Sequence, residues 1–182
     1  MVLRFTHQRA VLLCIILLTS FAPFAYNQTF ATKARPTKPK EPAPRFNATS
    51  TDGEKFSNGS IKGKIVLLEF WTTWCSFCAD EAPLVDKINR EFGSKDFLIL
   101  AVNVGESKKT VKKYLELHPR NCKIVLTDDT NLAAMYAATV YPIYVVIDRD
   151  GNVAATQRGA AGEDALRELL ADAGLAIKTD SN

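Results

Sequence analysis

Two cysteines separated by two residues, Cys75 and Cys78, stand between a strongly apolar run and a helical pattern. The run from Ile65 to Trp71, Ile-Val-Leu-Leu-Glu-Phe-Trp, predicts a central strand that is covered on both faces. After it, apolar residues recur at helical spacing until Gly93. This order places Cys75 at a helix N-terminus, where unpaired backbone N–H groups and the helix dipole favour the thiolate. Because the thiolate attacks disulfides, the pattern predicts a thiol–disulfide oxidoreductase.

Strands and helices alternate along the rest of the chain. The patterns predict a hairpin of two short strands between Phe46 and Phe56, then strands at about 97–104, 123–126, 143–147 and 153–158, and helices at about 107–117, 128–138 and 162–173. Alternating elements that end in a hairpin and a helix favour an α/β sandwich with a mixed sheet.

The N-terminal part differs from the rest in charge and composition. Residues 10–26 carry no charge and follow Arg4 and Arg9, so residues 1–26 are predicted to be a signal anchor or a signal peptide that exports the domain. Residues 27–45 contain four prolines and predict a Pro/Lys-rich linker. The domain is predicted at 46–177, with a short tail at 178–182.

The net charge of +3 comes from the N-terminal segments. Residues 1–45 hold seven basic residues and one acid, which gives +6, whereas residues 46–182 hold 16 basic and 19 acidic residues, which gives −3. A mildly acidic domain argues against a nucleic-acid partner.

The stretch from Lys64 to Cys78 resembles the active-site segment of thioredoxin-fold proteins, and it is most similar to the membrane-tethered TlpA/ResA-type branch. Three further features carry the resemblance: Glu81-Ala82-Pro83 matches a Glu-x-Pro motif, Ser107 to Leu126 matches a central αβ insertion, and Val140 to Gly151 matches the cis-proline strand and its hairpin. The resemblance covers residues 44–177 and implies a thioredoxin-like three-layer sandwich with an N-terminal β-hairpin.

The motif and the resemblance together assign roles around the cysteines. Cys75 is expected to attack a substrate disulfide, and Cys78 to resolve the mixed disulfide, which leaves Cys75 and Cys78 oxidised. The resemblance implies a cis bond before Pro142 that faces Cys75, with Tyr141 and Pro142 pairing with an extended substrate. Trp74 is expected at the rim of the site and Trp71 in the core. Neither a cofactor nor a bound metal is expected.

Two acids are candidates for supporting roles. Glu69 lies inside the apolar strand, where burial would favour its neutral form and allow proton exchange with Cys78; an exposed strand carboxylate is the alternative. The resemblance implies that Glu81 tunes the cysteines, and the alternative is an acid that stabilises a helix N-terminus.

One dipeptide departs from the family pattern, and two further residues have no role in it. The branch usually carries Pro before the second cysteine, whereas this chain has Ser76-Phe77, a dipeptide that influences the direction and potential of the reaction. Cys122 stands alone and is expected to be a buried inert thiol, with a regulatory or intermolecular disulfide as the alternative. A structural zinc site would need four ligands, and only Cys122 and His118 remain in the domain.

The resulting hypothesis is an extracytoplasmic disulfide reductase held at the membrane by its N-terminal segment. The resemblance implies a protein substrate, with apocytochrome c as a candidate, and a transmembrane electron donor of the thioredoxin-reducing type. A disulfide oxidant or isomerase is the nearest alternative. A thiol peroxidase is a second, because Thr72-x-x-Cys75 resembles a peroxiredoxin motif, although Leu68 stands where its proline is expected. A copper-binding scaffold is the third.

Overall fold

The computed structural model describes residues 40–93 and 96–176. These residues form one eight-stranded sheet with four helices. The strands are β1 (Glu41–Pro42), β2 (Asn47–Ser50), β3 (Lys55–Ser57), β4 (Ile65–Trp71), β5 (Phe97–Asn103), β6 (Lys123–Thr130), β7 (Ile143–Ile147) and β8 (Asn152–Arg158). The helices are α1 (Ser76–Phe92), α2 (Lys108–Leu117), α3 (Leu132–Met135) and α4 (Gly162–Asp172).

The sheet is mixed, and β4 lies inside it. The strand order is β1-β8-β7-β4-β5-β6-β2-β3, with β4 parallel to β5, β5 parallel to β6, and β4 antiparallel to β7. Every residue of β4 is buried, as its continuous apolar run predicts. The α/β sandwich with a mixed sheet and an N-terminal hairpin is therefore confirmed.

Side chains alternate across β4 and fill two cores. Val66, Leu68 and Phe70 pack in one core together with Leu132 of α3. Ile65 and Leu67 pack in the other core, against apolar side chains of α1 and α4. The C-terminal end of β4 thus holds Trp71 and the following loop at the edge of a packed, rigid scaffold.

The third expected helix is shorter than the pattern indicated. β6 continues to Thr130, and α3 contains only Leu132–Met135, whereas a helix from residue 128 was expected. Ala48 of β2 pairs with Thr130, so cross-strand pairing extends β6 beyond its apolar part. Local periodicity cannot report such a pairing between distant segments.

The packed domain includes residues that the sequence assigned to the linker. Glu41–Pro42 pair with β8, Ala43 is buried, and Lys40 forms an ion pair with Asp148 at 2.9 Å. The leader at 1–26, the linker up to residue 39 and the tail at 178–182 lie outside the described residues. Within the described residues, no helix is long and apolar enough to cross a membrane.

Candidate active site

Cys75 and Cys78 lie where β4 gives way to α1. They form a disulfide with their Cα atoms 5.3 Å apart. Cys75 is the N-cap of α1, and its sulfur accepts a hydrogen bond from the backbone N–H of Cys78 at 3.1 Å. Cys75 is 7% exposed and Cys78 is 2% exposed. The sulfur nearer to solvent is therefore at the helix N-terminus, which is the position that stabilises a thiolate.

An apolar rim surrounds the two cysteines, and we define it as Trp74, Phe77, Val140 and Tyr141. Trp74 is 71% exposed and Phe77 is 62% exposed. The rings of Trp74 and Tyr141 meet edge to face with centroids 5.8 Å apart, and Tyr141 packs against the cluster that contains both cysteines. Such exposed apolar side chains offer a contact surface for another polypeptide.

The Tyr141–Pro142 peptide bond is cis, as the resemblance implies. The hydroxyl of Tyr141 donates to the carbonyl oxygen of Ala138 at 2.9 Å, which fixes the ring beside Trp74. The structure thus brings Trp74, Tyr141 and Pro142 to the same end of the sheet as the cysteines. Trp71 is 2% exposed and belongs to the core, as expected.

The loop between β4 and Cys75 is held by Glu106, a residue that the sequence did not single out. The Glu106 carboxylate accepts hydrogen bonds from the backbone N–H of Thr73 at 2.6 Å, from the Thr73 hydroxyl, and from the side-chain amide of Asn103 at 2.8 Å. One carboxylate therefore ties the segment before Cys75 to the end of β5. No sequence motif marks this contact, because it joins residues 33 positions apart.

Glu69 is completely buried, as one of its two interpretations required, but it has a partner that the sequence did not reveal. A guanidinium nitrogen of Arg120 lies 2.8 Å from its carboxylate, and a second nitrogen of Arg120 lies 3.1 Å from Asp86. Burial alone would lower the pKa of Arg120, but the adjacent Glu69 and Asp86 help to raise it above its ordinary value. Glu69 therefore lies beside a cation.

Glu81 stabilises a helix N-terminus, but the helix is α4 rather than its own. Its carboxylate accepts from the backbone N–H groups of Ala161, at 2.8 Å, and of Gly162, and from the hydroxyl of Tyr144 at 2.8 Å. Burial, the charge of Glu69 and the bond to Glu81 all raise the pKa of Tyr144.

Glu69 and Tyr144 are opposite each other on β4 and β7. Together these groups form one set, in which ion pairs link Arg120 to Glu69 and Asp86 and a hydrogen bond links Tyr144 to Glu81. We call it the polar layer and define it as Glu69, Glu81, Asp86, Arg120 and Tyr144.

Cys122 borders the polar layer and is not in a disulfide. Burial raises its pKa to about 12, and the charges of Glu69 and Asp86 act in the same direction while Arg120 opposes them. Cys122 is therefore a protonated thiol at neutral pH.

Comparison with known proteins places this site in a family. The profile of the Redoxin family matches residues 38–172, which is most of the chain. The chain belongs to the Redoxin family. The thiol-disulfide oxidoreductase ResA of Bacillus subtilis is 30% identical over 156 residues, covering 86% of this chain and 87% of that protein. The thioredoxin-like protein YneN of the same organism is 31% identical over 140 residues, covering 75% of this chain and 81% of that protein.

A solved structure agrees with both relatives. The thiol:disulfide interchange protein of the thioredoxin family from Chlorobium tepidum superimposes with a TM-score of 0.65 and 26% identity, covering 75% of this chain and 98% of that chain. The protein is thus a thiol–disulfide oxidoreductase of the TlpA/ResA-like type with a thioredoxin-like fold and a Cys75-x-x-Cys78 pair.

Proposed function

We propose that the protein is an extracytoplasmic disulfide reductase that acts on protein cysteines through Cys75 and Cys78. The observation that carries the proposal is a dithiol pair whose more accessible sulfur lies at the N-terminus of α1, inside an exposed apolar rim. A small-molecule site would be a concave pocket. An exposed apolar rim beside the more accessible cysteine is better suited to a polypeptide substrate.

The reaction proceeds in two exchanges. The Cys75 thiolate attacks one sulfur of the substrate disulfide, and the S–S bond breaks to release one substrate thiolate, which takes up a proton. Cys78 then loses its proton and attacks the Cys75 sulfur of the mixed disulfide, which releases the second substrate thiolate. Two electrons pass from the protein dithiol to the substrate, and Cys75 and Cys78 end as a disulfide.

The surrounding residues have supporting roles in this proposal. Trp74 and Tyr141 contact the substrate segment, and the backbone at Pro142 pairs with it. Glu69 exchanges a proton with Cys78 in the buried layer, where the Arg120 guanidinium compensates its charge. Glu81 influences the cysteines by fixing α1 against α4 and β7.

The location and partners follow from the N-terminal sequence and the resemblance. The uncharged residues 10–26 behind Arg4 and Arg9 support export, by way of an anchor or a cleaved signal. A transmembrane electron donor of the thioredoxin-reducing type would return the pair to the dithiol state. Apocytochrome c, whose haem-binding cysteines must be reduced, is the proposed substrate.

Trapping tests the role of Cys75 and identifies the substrate. With Cys78→Ala in the full-length chain, the mixed disulfide on Cys75 cannot be resolved and is expected to accumulate in cells. The matched control is the double variant Cys75→Ser with Cys78→Ala, which should trap nothing. If the two variants trap the same proteins, or neither traps any, the reductase proposal fails.

The direction of electron flow separates the reductase from an oxidant or isomerase. Equilibration of the Cys75–Cys78 pair with glutathione should give a reduction potential well below about −120 mV, the value of a strong oxidant. A potential near that value would favour the oxidant.

The two other classes have less support. A copper-binding scaffold would hold Cu(I) on Cys75 and Cys78, which here form a disulfide; tight stoichiometric Cu(I) binding that Cys75→Ser abolishes would establish that class. For the peroxidase, the buried hydroxyl of Thr72 makes no hydrogen bond to the Cys75 sulfur within the described residues. Rapid peroxide consumption by the reduced protein would nevertheless establish that activity in place of the reductase.

A further inference from the structure

The outer surface of α2 carries four exposed lysines, which we call the lysine face: Lys108, Lys109, Lys112 and Lys113. Among the residues that the structure describes, no carboxylate lies within 4.0 Å of any of these four amino groups. Lysines elsewhere in the domain do form ion pairs; Lys123, for example, contacts Asp52 and Glu54, each at 2.7 Å. The lysine face is therefore a positive area on a domain whose net charge is negative.

The opposite side of α2 packs beside the cysteines. Val111 is 1% exposed and belongs to the same apolar cluster as Cys75 and Cys78. The ring of Tyr114 lies 5.7 Å from the ring of Trp71 in that cluster. The helix that carries the lysine face therefore packs directly on the apolar cluster that contains the cysteines.

The start of α2 is also tied to the active-site loop. Ser107 caps α2 through a hydrogen bond from the backbone N–H of Thr110, and the preceding residue, Glu106, binds Thr73. Thr73 is two positions before Cys75. Lys108 and Lys109 thus follow two and three positions after Glu106, the residue that holds this loop.

A groove of about 450 Å³ runs along the lysine face. Its lining includes Lys108, Lys112 and one acid, Glu116, together with the apolar side chains of Val111, Leu115 and Leu126. Both lysines precede Glu116 along α2, so the Lys108–Lys112 part of the groove is complementary to a segment that carries carboxylates beside an apolar side chain.

We propose that the lysine face and this groove dock an acidic segment of the protein whose disulfide the Cys75–Cys78 pair exchanges. The chain's own N-terminal part is a poor occupant, because residues 1–45 hold seven basic residues and one acid. The positive field of the four lysines raises the encounter rate of an acidic partner and disfavours a basic one. This inference rests on the proposed dithiol exchange and adds the kind of substrate that it favours.

Two synthetic peptides test the docking surface directly. Both contain the same disulfide loop and the same central leucine, flanked by four glutamates in one peptide and by four glutamines in the other. The reduced full-length protein, in neutral detergent at low ionic strength, should react about tenfold faster with the glutamate peptide. The advantage should disappear at about 0.5 M salt, where charges are screened over a few ångströms. Equal rates for the two peptides at low salt would overturn the proposal.

Variants assign the effect to these lysines. Replacing all four with glutamine (K108Q/K109Q/K112Q/K113Q) should remove the preference for the glutamate peptide. The control is K62Q/K64Q, because Lys64 precedes β4 whereas Cys75 follows it, so these two lysines lie at the opposite end of the strand. If the control removes the preference equally, the effect is one of net charge, and the docking surface is wrong.

A neutral small disulfide, 2-hydroxyethyl disulfide, separates docking from chemistry. Both variants should react with it at the unchanged rate of the parent protein. If the parent reacts with it but shows no preference between the peptides, docking fails and dithiol exchange stands. If the parent does not react with it at all, the exchange itself fails.

Two other occupants would overturn the assignment to a protein partner. One is a membrane surface, shown by binding to phosphatidylglycerol vesicles that the four-lysine variant loses while the peptides react equally. The other is a second copy of the chain, shown by a dimer in sedimentation equilibrium that the same variant abolishes.

Discussion

The rim and the polar layer both draw residues from the elements next to the two cysteines, yet they are built in opposite ways. The rim consists of apolar side chains exposed to solvent, with Trp74 and Phe77 adjacent in sequence to the motif. The polar layer consists of charged and hydroxyl groups that are withdrawn from solvent, with Arg120 bonded to Glu69 and Asp86 and Tyr144 bonded to Glu81. The usual preference for apolar residues inside and polar residues outside is reversed at this point of the fold.

The difference indicates what each region contributes. Exposed apolar side chains lower the free energy only when another molecule covers them, so the rim is expected to strengthen substrate binding. Buried charges are costly unless they are paired, so the polar layer is expected to act on stability and on the cysteines above it. This contrast would be wrong if a rim substitution unfolded the protein, or if a substitution in the polar layer left the free energy of unfolding unchanged.

The largest effect is expected for Arg120→Met, which leaves the buried Glu69 carboxylate without its cation. Loss of one partner of a buried ion pair costs about 3–5 kcal/mol in the free energy of unfolding. Urea denaturation measures it, and Arg90→Met, at an exposed position of α1, should change stability by no more than about 0.5 kcal/mol.

A second variant tests the reason for that loss. Glu69→Gln combined with Arg120→Met removes both charges and should recover much of the lost stability. A double variant no more stable than Arg120→Met alone would show that the unpaired charge is not the cause.

A smaller effect is expected for Glu106→Gln, which weakens the three hydrogen bonds that hold Thr73 and Asn103. Bonds to a charged group contribute about 1.5–3 kcal/mol each at most, so we expect a total loss of about 1–3 kcal/mol. Hydrogen exchange at the Thr73 amide should accelerate, and the rate of disulfide exchange should fall. Glu116→Gln on the exposed side of α2 is the control, and equal acceleration in both variants would contradict the role of Glu106.

The same contrast explains which parts the sequence could predict. Cys75, Cys78 and Trp74 are close together in the chain, so their grouping follows from a short motif, and the burial of Glu69 follows from the apolar run around it. Arg120 contacts Glu69 across 51 positions. Neither that contact nor the extension of β6 has a local signal, because each depends on how distant segments pack.

Glu81 shows the intermediate case. The resemblance implied that Glu81 tunes the cysteines, and the alternative was an acid that stabilises a helix N-terminus; its carboxylate does bind backbone N–H groups at a helix N-terminus. The helix was not α1 but α4, which begins 81 positions later. Residue type can thus predict an interaction whose partner only the fold determines.

Cys122 gives an alkaline pH dependence at the border of the polar layer. Its pKa is raised from the ordinary thiol value of 9.0 to about 12 in the folded protein, so above pH 9 the unfolded chain loses this proton while the folded chain keeps it. Stability that is complete below pH 9 should therefore fall between about pH 9 and 12, by about 1 kcal/mol at pH 10.

Denaturation of the oxidised protein at pH 7 and pH 10 measures this loss. Cys122→Ala should lose about 1 kcal/mol less than the parent over that interval, whatever its stability at pH 7. The comparison of intervals cancels both the cavity left by the substitution and the titration of other groups. An equal loss in both proteins would place the alkaline sensitivity elsewhere.

The smallest effect on stability, and the sharpest test of the rim, is expected for Trp74→Ala. Because Trp74 is 71% exposed, its removal should change the free energy of unfolding by less than about 1 kcal/mol, chiefly through the lost contact with Tyr141. Reduction of a peptide disulfide should nevertheless slow several-fold, whereas 2-hydroxyethyl disulfide should react as before. Leu117→Ala is the matched control, since Leu117 is 74% exposed at the far end of α2. If Leu117→Ala slows the peptide equally, exposed apolar area in general, and not the rim, governs substrate binding.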